Sequence, residues 1–166
     1  PRNFQEKNAL KHLLYQVMDC RENLKNQIPI FLKIAPDLSL NQIDDIAEIA
    51  IQIDIDAIVA TNTTTHRQEL KSRLKNEKGG LSGKPLFSKS TWVLAHLSER
   101  LDDRVPLIGV GGISSAIDAY QKILAGATVV QLYTGLVYNG LGLVSEINKG
   151  LNKILSERGV KNVSQI

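Results

Sequence analysis

The chain has 166 residues, enough for one domain with a sizeable core. Its hydrophobic fraction of 43% and charged fraction of 22% are those of an ordinary globular protein, which excludes a low-complexity or disordered chain. A net charge of +3 is mild, and no run approaches the roughly 18 apolar residues that a membrane-spanning helix needs.

From about Phe4 to Asn26, apolar residues recur at Leu10, Leu13, Leu14, Val17 and Met18, which predicts an amphipathic helix. This helix holds the only cysteine, Cys20, so an intrachain disulfide is excluded, and its neighbours suggest an inert side chain. With no signal-peptide pattern in the first residues, a reducing, intracellular setting is expected. Pro29–Ile34 reads as a short buried strand between two prolines. Ser39 followed by Gln42 is a capping box, opening a helix with Ile43, Ile46, Ala47, Ala50 and Ile53 on one face.

Ala57–Ala60 is the next strand, and a long polar stretch from Thr61 to about Ser88 follows. A helix then turns Leu94, Leu97 and Leu101 inward, and Val105–Val110 is the third strand. Ser115 caps a helix carrying Ile117, Tyr120, Ile123 and Leu124, which Gly126 stops. Val129–Tyr133 is the fourth strand, and a last helix presents Val144, Ile147, Leu151, Ile154 and Leu155 before Gly159.

Strands alternating with helices predict an α/β fold with about four parallel strands and right-handed crossovers. Polar or glycine residues follow the C-terminal end of every strand: Lys33, Thr61-Asn62-Thr63, Gly111-Gly112 and Tyr133-Thr134. A doubly wound sheet concentrates its ligand at one switch point, whereas every strand end of a barrel faces one shared site. The expected architecture is therefore half of a (β/α)8 TIM barrel. An open half-barrel exposes two sheet edges and its apolar interior, so the isolated chain is expected to self-associate.

Ile108–Ile113 reads as a strand-to-helix turn that grips a phosphate. Gly111 and Gly112 permit a close backbone approach, and their N–H groups together with the helix start at Ser115 would form a positive pocket. The alternative is a tight connection with no ligand. Lys33 is an ammonium in an apolar strand, either turned into the site or snorkelling to solvent. Asn62, among Thr61, Thr63, Thr64 and Thr65, either reads the edge of a heterocycle or closes an Asx-type turn. Gly79–Leu86 offers backbone donors or acts as a hinge.

The three histidines lack metal-ligand spacing, so no metal site is expected. Asp37, Asp44, Asp45 and Asp118 read mostly as first-turn helix residues. Basic residues between His66 and Lys89 read as a solvated loop; with few aromatic residues to stack bases, no nucleic-acid binding is expected.

In this order, Lys33–Asp37, Thr61–Thr64, Gly79–Leu86, Ile108–Ile113 and Gln131–Thr134 resemble the dihydroorotate dehydrogenase family, and within it the quinone-linked, membrane-associated class 2. The resemblance runs from about Phe4 onward and marks residues 1–166 as the C-terminal half of the FMN-binding barrel. It implies oxidation of dihydroorotate to orotate in pyrimidine biosynthesis, with ubiquinone as electron acceptor. It implies that Lys33 lies against the flavin of FMN, that Thr61 touches the flavin, and that Asn62 and Thr63 bind the pyrimidine. Gly83, Gly111, Gly112, Tyr133 and Thr134 would surround the cofactor, the last four mainly at its phosphate.

The family's catalytic serine base is expected upstream of Pro1, so no catalytic residue is assigned and the 166 residues alone are expected to be inactive. The helices that form the quinone tunnel and associate peripherally with a membrane (bacterial cytoplasmic or mitochondrial inner) are likewise expected outside this chain, which itself should be soluble. Two other readings stay open: a phosphate-binding barrel enzyme without flavin, and a non-catalytic basic interaction fragment working through the His66–Lys89 loop.

Overall fold

The computed structural model describes residues 6–67 and 70–166; Phe4, where the sequence places the start of the first helix, lies outside them. Four short strands, β1 (Phe31–Ile34), β2 (Ala57–Ala60), β3 (Leu107–Val110) and β4 (Val129–Gln131), form one sheet. Every pairing is parallel, and the spatial order follows the chain, β1-β2-β3-β4. Parallel neighbours need a crossover, which helices supply. α1 (Lys7–Glu22) precedes β1, α2 (Leu40–Ile53) joins β1 to β2, α3 (Phe87–Leu101) joins β2 to β3, and α4 (Ala116–Leu124) joins β3 to β4. α5 (Thr134–Asn139) and α6 (Gly142–Glu157) follow β4.

With no reversal of strand order, the sheet has no switch point of the doubly wound kind. Alternation along the strands assigns its two faces. Ile34, Ile58, Ala60 and Leu107 enter the main core, which also holds Leu10, Ile46, Leu94 and Leu97 of the helices. Lys33, in register with Val59 and so with Ile108 and Val129, points to the other face. That face is open: Phe31 and Val129 are each 53% exposed. The near-continuous apolar strands call for cover on both sides, and these residues cover one. A sequentially ordered parallel sheet with helices on one face is an arc of a barrel. A second core, between α4 and α6, holds Tyr120, Ile123, Leu143, Ile147 and Leu151.

Local expectations hold in part. Ser39 and Gln42 form the capping box of α2, the Ser39 Oγ accepting from the Gln42 N–H at 3.3 Å and the Gln42 Oε1 accepting from the Ser39 N–H at 3.0 Å. β1 begins two residues later than the sequence suggests, because Pro29 has no N–H and that of Ile30 donates to the Asp56 carboxylate at 2.7 Å. β4 ends at Gln131, and Thr134 opens the unanticipated α5, whose Thr-Gly start reads as a turn. Ile117, Leu124 and Val144, expected inward, are exposed. α4 is rotated so that Ala119, Tyr120, Lys122 and Ile123 face the interior, and Ile117 and Leu124, seven residues apart, share the outer face.

Candidate functional site

A cavity of about 290 Å³ lies at the C-terminal ends of the strands, and all nine residues singled out in the sequence line it. β1 contributes Lys33, exposed on the open face of the sheet. Lys33 thus lines the cavity and is also in reach of solvent, so both of its alternatives stay open.

β2 contributes Thr61, Asn62 and Thr63. Thr61 is buried, its N–H donating to the Val110 carbonyl at 3.0 Å, and a cis peptide bond joins it to Ala60. The Asn62 N–H extends the pairing with β1 by donating to the Ile34 carbonyl at 2.7 Å. Its side-chain oxygen accepts from the N–H of the next residue, Thr63, at 2.9 Å, one residue short of the contact that closes an Asx turn. Among the described residues the amide Nδ2 has no protein acceptor, and the Thr64 N–H that an Asx turn would use donates to the Leu81 carbonyl instead.

The long segment after β2 folds back over the cavity. Thr64 and Leu81 exchange both backbone hydrogen bonds, at 3.1 and 2.7 Å, and the Arg67 guanidinium donates to the Gly79 carbonyl. This pinned return brings Ser82 and Gly83 to the rim, where the Thr134 hydroxyl donates to the Ser82 Oγ at 2.9 Å. The Gly79–Leu86 segment is therefore a wall of the site held at both ends.

Gly111 and Gly112 follow β3 with φ of 120° and 78°, a conformation that other residues rarely adopt. Among the described residues the N–H groups of Gly112 and Ile113 find no protein acceptor, a cost unless solvent or a ligand meets them. Part of the helix start expected to complete the anion pocket is engaged by α4 itself. Asp118 of α4 accepts from the Ser114 N–H at 2.9 Å and the Ser114 hydroxyl at 3.0 Å, while the Ser115 Oγ accepts from the Asp118 N–H at 3.1 Å. The N–H groups of Ser114 and Asp118 are thus met within α4's own first turn, while those of Ala116 and Ile117, like those of the glycine turn, find no protein acceptor among the described residues.

After β4, Tyr133 is 79% exposed and Thr134 sits at the rim. A wider hollow of about 630 Å³ adjoins the cavity and shares Gly83, Gly112 and Thr134 with it.

Two clusters behind the cavity escaped the sequence reading. Asp37, read as a first-turn helix residue, precedes α2 and binds the chain after β2. Its carboxylate accepts from the Thr64 hydroxyl at 2.5 Å, the Thr65 N–H at 2.9 Å and the Lys89 ammonium at 2.5 Å. Burial raises its affinity for a proton, but the hydrogen bonds from Lys89, Thr64, Thr65 and His66 outweigh this and hold it well below the usual carboxylate range. Asp44, another such residue, instead ties α2 to α3 through His96 at 2.8 Å and Arg100. The second cluster joins Lys122 of α4 to Ser90 of α3, both wholly buried, at 2.6 Å. The available signal was Lys122's place on a stripe with Ala119 and Ile123.

The family model for dihydroorotate dehydrogenase matches residues 1–155. The dihydroorotate dehydrogenase (quinone) of Cereibacter sphaeroides is 51% identical over 164 residues, spanning 99% of this chain and 46% of its own length. That of Brucella ovis is 48% identical over 170 residues, spanning 99% and 47%. The crystal structure of DHODH from Eimeria tenella in complex with ferulenol superposes with a TM-score of 0.95 at 32% identity, over 99% of this chain and 49% of that one. Its ligand-free form gives 0.94 at 33% identity. The chain spans about half the length of these relatives, and its four strands and flanking helices match half of the barrel in the solved structures. The chain belongs to the dihydroorotate dehydrogenase family.

Proposed function

We propose that these residues form the FMN-phosphate and pyrimidine wall of an enzyme that oxidises dihydroorotate to orotate and passes the electrons to a quinone. The observation that carries the reading is the convergence of Lys33, Asn62, Thr63, the Gly111-Gly112 turn and Thr134 from four strand ends on one cavity. The lining suits the cofactor's charge: it offers an ammonium, hydroxyls and open backbone amides, and no carboxylate is among the described residues that form it. The acceptor is inferred from the relatives, which are named quinone enzymes.

In this reading Gly111, Gly112, Tyr133 and Thr134 hold the phosphate, with Gly83 closing over the cofactor. Thr61 bears on the flavin. FMN, when bound, supplies the hydride acceptor. Lys33 places a positive charge where negative charge accumulates on reduction, the kind of preorganised stabilisation that costs no rearrangement. Asn62 and Thr63 orient the pyrimidine, the Asn62 amide donating and accepting along one edge. A proton must also leave the substrate carbon next to the hydride donor. Among the described cavity residues there is no His, Asp or Glu to take it, and in this reading the serine base is supplied from outside them.

The gene product carrying this sequence should purify yellow and reduce a quinone analogue at the expense of dihydroorotate, whereas the 166-residue polypeptide should not turn over. A colourless product that leaves dihydroorotate untouched overturns the proposal.

A further inference from the structure

The cavity residues do not account for Lys122. It is wholly buried, and its Nζ donates to the Ser90 Oγ at 2.6 Å and lies 5.0 Å from the centre of the Phe87 ring. Ser90 is equally buried, and its hydroxyl stands 3.2 Å from the Gly111 carbonyl and 3.1 Å from that of Phe87. Burying a lysine is costly, and here it meets one hydroxyl and an aromatic face rather than a carboxylate.

Direction follows from the donor inventory. A charged ammonium only donates, so Ser90 must accept from it and can send its single proton only to a backbone carbonyl. In a trans peptide the C=O and the next N–H point opposite ways. A Gly111 carbonyl drawn back toward Ser90 therefore turns the Gly112 N–H toward the cavity. A neutral amine could accept instead, and the Ser90 proton could turn away from the carbonyl.

We propose that Lys122 is a positioning residue for the phosphate site: acting through Ser90, its buried ammonium fixes the Gly111–Gly112 peptide with its N–H facing the cavity and adds a positive charge behind it. The inference rests on the FMN reading and extends it, making Lys122 the residue through which the protein prefers a phosphorylated flavin over an unphosphorylated one. Burial pushes the Lys122 ammonium down to about 7, with Asp118 of the same helix pulling the other way. α3 presents Ser90 and Phe87, β3 presents Gly109, and α6 meets α4 through Ile147 and Leu151, its Arg158 lying over Tyr120. A bound phosphate favours the charged lysine. By linkage, affinity for FMN falls as pH rises from about 7, above the range where the phosphate itself takes its second charge.

The test compares the holoenzyme with its Lys122→Met and Ser90→Ala variants, measuring dissociation constants for FMN and riboflavin from pH 7 to 9. Both variants should lose about tenfold in FMN affinity, the equivalent of one unit of pKa coupling, with riboflavin unchanged, and Lys122→Met should also lose the pH slope. Equal losses for both flavins, or none, overturn the proposal. A third measurement needs neither variant nor flavin: inorganic phosphate titrated into the wild-type protein should shift the Lys122 side-chain NMR signals toward the ammonium form. Absence of that shift overturns the inference even if FMN binds. Its presence in a protein that rejects FMN removes the cofactor reading and leaves the phosphate site standing.

Discussion

Gly112→Ala is the sharpest perturbation of the candidate phosphate turn. At φ 78° an alanine pays the left-handed penalty, about 1–2 kcal/mol. Its methyl would also lie 2.7 Å from the Phe87 Cα and 2.8 Å from the Phe87 nitrogen, where ordinary contact starts at 3.4 Å. The nearest atom, the Phe87 Cβ at 2.5 Å, is fixed to this backbone at the first turn of α3, so no side chain can swing aside, and the turn or the helix must yield by about 0.9 Å. Overpacking of this kind costs about 1–3 kcal/mol, for a total of about 2–5 kcal/mol. In a chain of this size that lowers the melting temperature by roughly 10 °C. Gly140→Ala is the control: φ there is 74°, but nothing stands within 4 Å of the new methyl, so only the backbone penalty remains. Thermal denaturation followed by circular dichroism should rank wild type, Gly140→Ala and Gly112→Ala in falling order. Equal melting temperatures for the two variants would refute the claim that α3 is seated against the turn.

Asp37→Asn should cost about 2–4 kcal/mol, since it removes an almost buried carboxylate from Lys89 and the Thr64–Thr65 segment. Hydrogen exchange at the Thr65 amide should accelerate with it, and an unchanged rate would count against Asp37 as the anchor of that segment. Because the folded carboxyl is held below its ordinary 3.8, its contribution is complete above that pH and is lost on acidification through the depressed folded value. Wild type should therefore lose stability more steeply than Asp37→Asn below that point, as read by urea unfolding at stepped pH. The open face with Phe31 and Val129 should drive the purified 166-residue chain to self-associate. Light scattering that finds only monomer at micromolar concentration would contradict this.

What the sequence made legible follows from the strand-end rule. Once each strand was located, the residue types after it identified a shared site, and the fold gathers Lys33, Asn62, Gly112 and Thr134 there without further information. Ser39 and Gln42 were equally readable, because a capping box is local. The Asp37 and Lys122 clusters were not. Asp37 meets Lys89 across 52 residues and Lys122 meets Ser90 across 32, so their pairing depends on how helices dock. The same dependence hid the rotation of α4. Ile117 and Leu124 make as good an apolar stripe as Ala119 and Ile123, and only packing against α3 and α6 selects the stripe that carries a lysine.

The strict β1-β2-β3-β4 order also bears on how the molecule assembles. Each strand needs only its immediate predecessor as a template, so pairing can advance one crossover at a time, and no strand must wait for a distant segment. The longest such step is from Ala60 to Leu107. Part of its loop-closure entropy can be met early by the Thr64–Leu81 bridge, which shortens the open chain before β3 docks. The bridge that walls the cavity would then also set the pace at which the second half of the sheet is added.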